Sequence, residues 1–478
     1  MQAALSFIFF LSLFSVVGLL SVRKSTGTTE DYLVAGRTVS PWLTALSSVA
    51  TNNSGFMFIG LLGFAYRFGV QAVWLQAGWV VGDLFVWLWV HGRVREISGR
   101  LEISSVTSLL ATRDDGKRER GILIVAGLLT FIFLGGYAAA QFRAGSLALE
   151  QLFGWPPWAG ATLGATIVTA YCFSGGLRAS IWTDAVQSFV MFGSMLLLTT
   201  MAMVQIGGPS NLMTSLATQD PSLVEWLPQG LAFGFGLYFL GFVVAGFGAV
   251  GQPHILVRSM AICSVDAIPA ARRVYFAWFI PFNILAVLAG LCGRVLLPDL
   301  VAAVPAGASA AAAEQTLPLL ANLLLPQVLV GLVLAGLFSA TMSTADSQVL
   351  ACSAVVTQDL APHLNKSSFA SKAATLAVTS LALFLAIFAQ GGVFDLVLVA
   401  WSALGASLGP LMVLRVAGRD VGSAQGVVMM VAGLATVFAW GASPWAGDIF
   451  KLLPGMLVPF TIHAIWSAVE SRTLANKG

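Results

Sequence analysis

Residues 45–56 read Ala45-Leu46-Ser47-Ser48-Val49-Ala50-Thr51-Asn52-Asn53-Ser54-Gly55-Phe56. The stretch lies inside an apolar run, 41–65, that is long enough to cross a bilayer. Its middle, however, is a cluster of small, hydroxyl and amide residues. Ser, Thr and Asn side chains compete for backbone hydrogen bonds and Gly exposes the backbone, so Thr51 to Gly55 form helix poorly. In hydrocarbon, non-helical backbone survives only where protein buries it or where it lines a polar cavity. The reading is a membrane helix broken at mid-depth.

The rest of the chain supports a membrane setting. Of its 478 residues 58% are hydrophobic and only 9% charged, and the mean hydropathy is +0.87. A soluble domain carries about 25% charged residues, so a water-soluble enzyme is excluded, as is a disordered chain. At about 20 apolar residues per crossing, a dozen or more helices take up roughly half the length. Only short connections remain, with no large extramembrane domain. Cys172, Cys263, Cys292 and Cys352 are far apart and form no C-x-x-C pair, which supports neither a disulfide framework nor a zinc site.

Thirteen apolar runs are long enough to span: 3–22, 41–65, 69–90, 121–148, 158–174, 180–206, 230–250, 274–297, 326–352, 370–389, 394–414, 424–441 and 449–469. The first lacks a basic n-region and is followed by Arg23 and Lys24, so it reads as an uncleaved helix with its N-terminus outside. With that orientation only Arg67, Arg143, Arg294 and Lys451 of the 24 Lys and Arg residues fall outside, and the C-terminus is inside. One helix more or fewer would destroy this asymmetry. The basic loop 91–120, with Arg113-Asp114-Asp115-Gly116-Lys117-Arg118-Glu119-Arg120, reads as a topological retention signal or as a lipid or partner contact. The segment 302–313 reads as an external loop, with a short helix near 314–322.

A second interruption lies in the seventh span, where Gly234, Gly236, Gly241, Gly246, Gly248 and Gly251 precede Gln252-Pro253-His254. Glycines at such spacing also allow close helix packing, and both readings stand. From the second span to the seventh is five spans, the period of two inverted five-helix repeats that each open with a broken helix. The ninth span reads Ala335-Gly336-Leu337-Phe338-Ser339-Ala340-Thr341-Met342-Ser343-Thr344-Ala345-Asp346-Ser347. Ser343, Asp346 and Ser347 stand at i, i+3 and i+4 on one face. An acid at membrane depth is costly and marks a functional site by default. Hydroxyl, carbonyl and carboxylate oxygens without thiol or imidazole suit a hard cation.

At these residues the chain resembles the sodium:solute symporter family, most closely its sodium/proline branch. The likeness covers nearly the whole length. It includes Asp31-Tyr32-Leu33-Val34-Ala35-Gly36-Arg37, Phe58-Ile59-Gly60, Gly175-Gly176-Leu177-Arg178-Ala179-Ser180-Ile181-Trp182-Thr183-Asp184 and Gly251-Gln252-Pro253-His254. Met342-Ser343-Thr344-Ala345-Asp346-Ser347-Gln348 and Ala400-Trp401-Ser402-Ala403-Leu404-Gly405-Ala406-Ser407-Leu408-Gly409-Pro410 match as well. The resemblance implies an all-α polytopic membrane protein in one domain, 1–478, with a LeuT-like 5+5 inverted-repeat core. The repeats would be 41–206 and 230–414, with 3–22 and 424–469 peripheral. By the same match sodium is the coupling ion, held by the carbonyls of Ala50, Asn53 and Ala340 and the hydroxyls of Ser343 and Thr344. Asp184, Asp346 and Ser347 would form a second cation site or the sodium exit path, and Asp346 has the alternative of bonding to neighbouring helices. Asn52, Ser54, Gly55, Gln76, Ala245, Ala249 and Pro253 would surround the solute. Proline carriers have an acid at the position of Asn52 and bulky aromatics at those of Ala245 and Ala249, so this chain implies a roomier or differently shaped pocket.

The expected activity is sodium-driven uptake of a small polar solute, an amino acid or proline-like compound, by alternating access. The alternative is a transporter-shaped sensor or scaffold without net transport. The expected partners are the solute, sodium and the bilayer of a bacterial inner membrane, with no nucleic acid and no obligatory protein partner. An enzyme is not expected: there is no nucleophile–base constellation, and His91, His254, His363 and His463 are scattered near membrane edges. Asp83 lies seven residues beyond Gln76, on the same face of the third span, and pairs either with Arg143 or a backbone donor or with nothing readable in sequence.

Overall fold

Two helical runs are too long to cross a bilayer once. Pro41–Arg100 has 60 residues and Pro157–Ile206 has 50, about 90 Å and 75 Å at 1.5 Å per residue. Each turns at a glycine in the left-handed region, Gly69 (φ 67°) and Gly176 (φ 56°), where a Cβ would be strained. Eleven runs are long and apolar enough to span; dividing these two gives thirteen segments among the described residues. The computed structural model describes residues 1–302, 309–364, 368–388 and 393–475. Half of the expected external loop 302–313, residues 303–308, lies outside the described residues. The short helix expected near 314–322 is found at Thr316–Leu324.

In chain order α1 is Gln2–Ser21. α2 comprises Pro41–Gly55 and Leu61–Phe68, joined by a π turn at Phe56–Gly60. α3 starts at Ala72–Phe85 and continues to Arg100, well past the expected end at 90. α4 is Arg120–Phe153. α5 and α6 are the two halves of Pro157–Ile206. α7 comprises Gly234–Phe247 and Pro253–Ala261. α8 is Ile268–Leu296, α9 Gln327–Ala354, α10 Ser368–Phe388, α11 Val393–Val416, α12 Ser423–Gly441 and α13 Leu452–Ala475.

Both anticipated interruptions are present. α2 breaks at Ser54 (φ 43°, ψ 179°). α7 tightens into a 3-10 turn at Gly248–Gly251 and breaks at the extended Gln252 (φ −105°, ψ 98°). Pro253 restarts the helix because its missing N–H would be unpaired at a first turn anyway. The glycines of α7 also serve close packing: a Cβ on Gly246 would fall on the carbonyl oxygen of Trp79, and one on Gly82 on that of Val243. The two readings of this glycine run are therefore compatible.

Burial orders the helices. The apolar window of α9 is 83% buried, against 28% in α1 and in α13, so α9 is central and the chain-end helices form the periphery. Two main-chain hydrogen bonds, Val39 N to Ala261 O (3.1 Å) and Cys263 N to Val39 O (2.9 Å), stitch the start of α2 to the end of α7. The charges of loop 91–120 are largely paired within the protein: Asp114 accepts from Arg100 (2.6 Å) and Arg415 (3.0 Å), and Arg113 faces Glu119 (2.9 Å).

Just after Gly176, Arg178 Nη2 donates to Asp31 Oδ1 at 2.6 Å, while Ser25 Oγ (2.7 Å) and Thr26 N (2.9 Å) donate to Oδ2. Burial opposes the Asp31 charge, yet these donors outweigh it and hold the carboxyl below its ordinary range. A depressed folded value stabilises above the unfolded pKa, about 3.9, and that stabilisation is lost as pH falls through the folded value. Asp31→Asn should therefore cost roughly 3 kcal/mol at neutral pH by stranding Arg178. In detergent melts its deficit against wild type should narrow below about pH 4; a deficit constant with pH would refute the assignment.

Candidate cation and solute site

A broken helix leaves carbonyls without their i+4 amides, and these must find other donors. At the break in α2 the donors come from α9. Ser343 Oγ lies 3.1 Å from Ala50 O and 3.2 Å from Ala340 O. Thr344 Oγ1 lies 2.9 Å from Thr51 O and 3.0 Å from Ala340 O. All of these residues are buried. Four of the five residues expected to hold a cation thus converge: Ala50, Ala340, Ser343 and Thr344. Asn53 is turned differently. Its carbonyl accepts from Phe56 N, its Nδ2 donates to Val49 O (2.6 Å), and its buried Oδ1 has no partner among the described residues.

Thr51 is the residue that sequence reasoning missed. Its carbonyl meets Thr344, and its Oγ1 lies 3.2 Å from Ser347 Oγ and 3.4 Å from Ser343 O. The available signal was a hydroxyl residue inside the break, directly after Ala50. Every group here is an oxygen, which suits a hard monovalent or divalent cation and not a soft metal. Among the described residues no three His, Cys, Asp or Glu cluster to hold a metal.

Ser347 links this cage to a second, charged cluster. Asp346 accepts from Tyr171 (2.8 Å), Ser180 (2.9 Å) and Ser347 (2.7 Å). Asp184 accepts from Ser47 (2.6 Å) and faces Arg258 at 3.3 Å. Arg258 counts among the cytoplasmic basic residues in the sequence reading, yet it is fully buried. It donates to Ser47 (3.1 Å), Ser180 (3.2 Å), Ser347 and the carbonyl of His254. The break at Gln252 aims it inward, which a charge count cannot register. His91 and His254 are likewise buried.

The residues expected around the solute divide into groups. Asn52 Nδ2 donates to Tyr275 Oη at 2.6 Å. Ser54 Oγ accepts from Phe56 N (3.1 Å) and Tyr137 Oη (3.3 Å), and Gly55 N donates to Gln141 Oε1 (2.9 Å). A side chain at position 55 would strike Thr341 and Gln141. Gln76 is buried near the sulfur of Met57. Ala245 and Ala249 are fully buried; the aromatic bulk they lack arrives from elsewhere. Trp401 of α11 donates to Ala245 O (2.8 Å) and packs 5.1 Å from Trp79, which stacks on Phe56. Pro253 lines a small cavity with Leu33, Ser105, Leu177 and Leu350. Asp83 is buried beside Tyr275, whereas Arg143 pairs with Glu150 (3.7 Å).

The sequence profile of the sodium:solute symporter family matches residues 32–433. The sodium/proline symporters of Salmonella typhimurium and Escherichia coli are 31% and 30% identical to this chain, each over 92% of it and 88% of the relative. The high-affinity proline transporter PutP of Bacillus subtilis is 28% identical over 90% of this chain and 91% of its own. A sodium-coupled sialic acid symporter, solved in a substrate-bound outward-open state, superposes with a TM-score of 0.82 at 20% identity, covering 98% of both chains. A nucleobase-cation-symport-1 family transporter gives 0.60 at 13% identity, covering 92% of this chain and 95% of that one.

The geometry predicts that Ser343→Ala and Thr344→Ala each weaken sodium-dependent thermal stabilisation by about tenfold in sodium concentration. Ser339→Ala should leave it unchanged, since Ser339 Oγ only bonds back to Ala335 O (2.7 Å). Equal behaviour of the three variants in a sodium titration of the melting temperature would contradict this.

Proposed function

We infer the transport cycle from one premise: this chain belongs to the sodium:solute symporter family. It is a multi-pass membrane protein that couples sodium influx to uptake of a small solute, and it is not an enzyme. The finer assignments are proposals. Sodium occupies the oxygens of Ala50, Asn53, Ala340, Ser343 and Thr344, with Thr51 added to that set. The observation that carries this is the pairing of both α9 hydroxyls with carbonyls of α2 just before its break. A lone hydroxyl on a membrane helix bonds only its own preceding turn; these two also reach across to another helix.

The proposed solute is proline-like or another small amino acid, seated at Asn52, Ser54, Gly55 and Gln76 on one side and at Ala245, Ala249 and Pro253 on the other. The relatives named for proline support the solute class, and Asn52 and Gln76 supply its polar contacts. Residues 41–206 and 230–414 form the inverted repeats, with the N-terminus outside. From outside, sodium draws the broken α2 onto α9, solute binds, and the core rocks to release both inward. Arg258 pairs with Asp184, and Asp184, Asp346 and Ser347 are proposed as a second cation site or as the sodium exit path. The reading requires solute, sodium and a lipid bilayer, with no protein or nucleic-acid partner.

One sodium suffices energetically. A charge crossing 100 mV releases about 2.3 kcal/mol, and a tenfold gradient adds about 1.4 kcal/mol. Together they permit several-hundred-fold accumulation of a neutral solute. A thermal-shift screen of amino acids, sugars and carboxylates should yield a hit that protects only with sodium. Proteoliposomes should then accumulate that hit under an inward sodium gradient and fail to do so in choline. Uptake indifferent to the sodium gradient would overturn this reading.

A further inference from the structure

A groove of about 490 Å³ runs between α2, α6 and α8, within the size range of small-molecule sites. Its walls are Trp42 and Leu46 of α2, Phe189 and Phe192 of α6, and Trp278 of α8. Trp42 and Phe189 are 62% and 64% exposed. A side chain at Gly193, in the middle of α6, would meet nothing within 4 Å. Glycine weakens a helix interior, and here it leaves the groove open.

Two donors in this apolar setting lack acceptors. Arg273, exposed and lining the groove, makes no ion pair among the described residues. The indole nitrogen of Trp278 is buried and has no partner among the described residues. The Trp278 ring is held in place, stacked on Phe282 (4.5 Å between centroids) and edge-on to Phe192 (5.5 Å). A buried donor left unpaired is costly, and an acceptor brought by a ligand relieves that cost. Arg273 and Trp278 are five residues apart on one helix, about 7.5 Å along its axis. That is the scale of the glycerol unit between a phosphate and its ester carbonyls.

We propose that the groove is a site for one anionic glycerophospholipid. Arg273 takes the phosphate, for which a guanidinium fork is suited. The Trp278 indole donates to an ester carbonyl, and an acyl chain lies along Leu46, Phe189 and Phe192. In the orientation proposed above this end of α8 is cytoplasmic, the side on which anionic lipid concentrates. Trp42 and Leu46 lie in the first two turns of α2, so the bound lipid ties the first half of the broken helix to α6 and α8.

The test titrates delipidated full-length protein in detergent with phosphatidylglycerol or phosphatidylcholine of identical chains and reads the melting temperature. Wild type should respond to phosphatidylglycerol at about fivefold lower concentration. Arg273→Ala should abolish that preference. Arg272→Ala should keep it, because Arg272 adjoins the groove without lining it. Trp278→Phe should weaken both lipids by about fivefold. Gly193→Trp fills the groove and should remove the response to either lipid; where it fails to fold, Gly193→Leu carries the same test. A wild type that does not discriminate, equal losses in the two arginine variants, or a full lipid response with the groove filled overturns the proposal. Inorganic phosphate that protects as well as phosphatidylglycerol overturns the lipid as occupant. None of these readouts involves sodium or solute, so they stand or fall apart from the transport reading.

Discussion

The fold turns on two carbonyl groups, those of Ala50 and Thr51, which lie just before the break in α2 and accept from the neighbouring helix. Hydrocarbon offers them nothing, so they define what the neighbouring helix must carry. α9 meets them with Ser343 and Thr344, each of which also touches Ala340 O. A hydroxyl proton can serve only one acceptor fully, so each bond is shared. A cation seated among these oxygens, as proposed, would remove the competition.

The charged cluster beside the cage follows a different logic. Two buried carboxylates and one buried guanidinium are expensive to remove from water, and removing any one strands the others. Ser47, Ser180 and Ser347 spread the charge by linking Arg258, Asp184 and Asp346. Thr51 and Ser347 connect this cluster to the cage over 3.2 Å. An ion moving in the proposed cage would therefore be felt by a charge network that reaches α6 and α7.

Much of this was legible in sequence because membranes make strict demands. The Thr51–Gly55 cluster and the Gln252-Pro253 step announced the breaks by composition alone, and the face shared by Ser343 and Ser347 followed from helical periodicity. What stayed hidden depends on the path of the backbone after a break. Arg258 looks like one more cytoplasmic charge until Gln252 redirects its helix inward. Thr51 enters the cage because Ser54 takes a left-handed conformation that no spacing rule foretells. The hydrogen bond of Asn52 to Tyr275 joins residues 223 positions apart, beyond the reach of local pattern. The aromatic cover over Ala245 comes from Trp401, equally remote.

The two main-chain bonds that join Val39 to Ala261 and Cys263 have a mechanical meaning. Backbone-to-backbone links do not depend on side-chain rotamers, so the start of α2 and the end of α7 are riveted together. Neither can swing without carrying the other, and the pair behaves as one lever. The slack for its stroke must come from outside the rivet, where Gly69 and Gly176 bend the chain without a side chain to obstruct them.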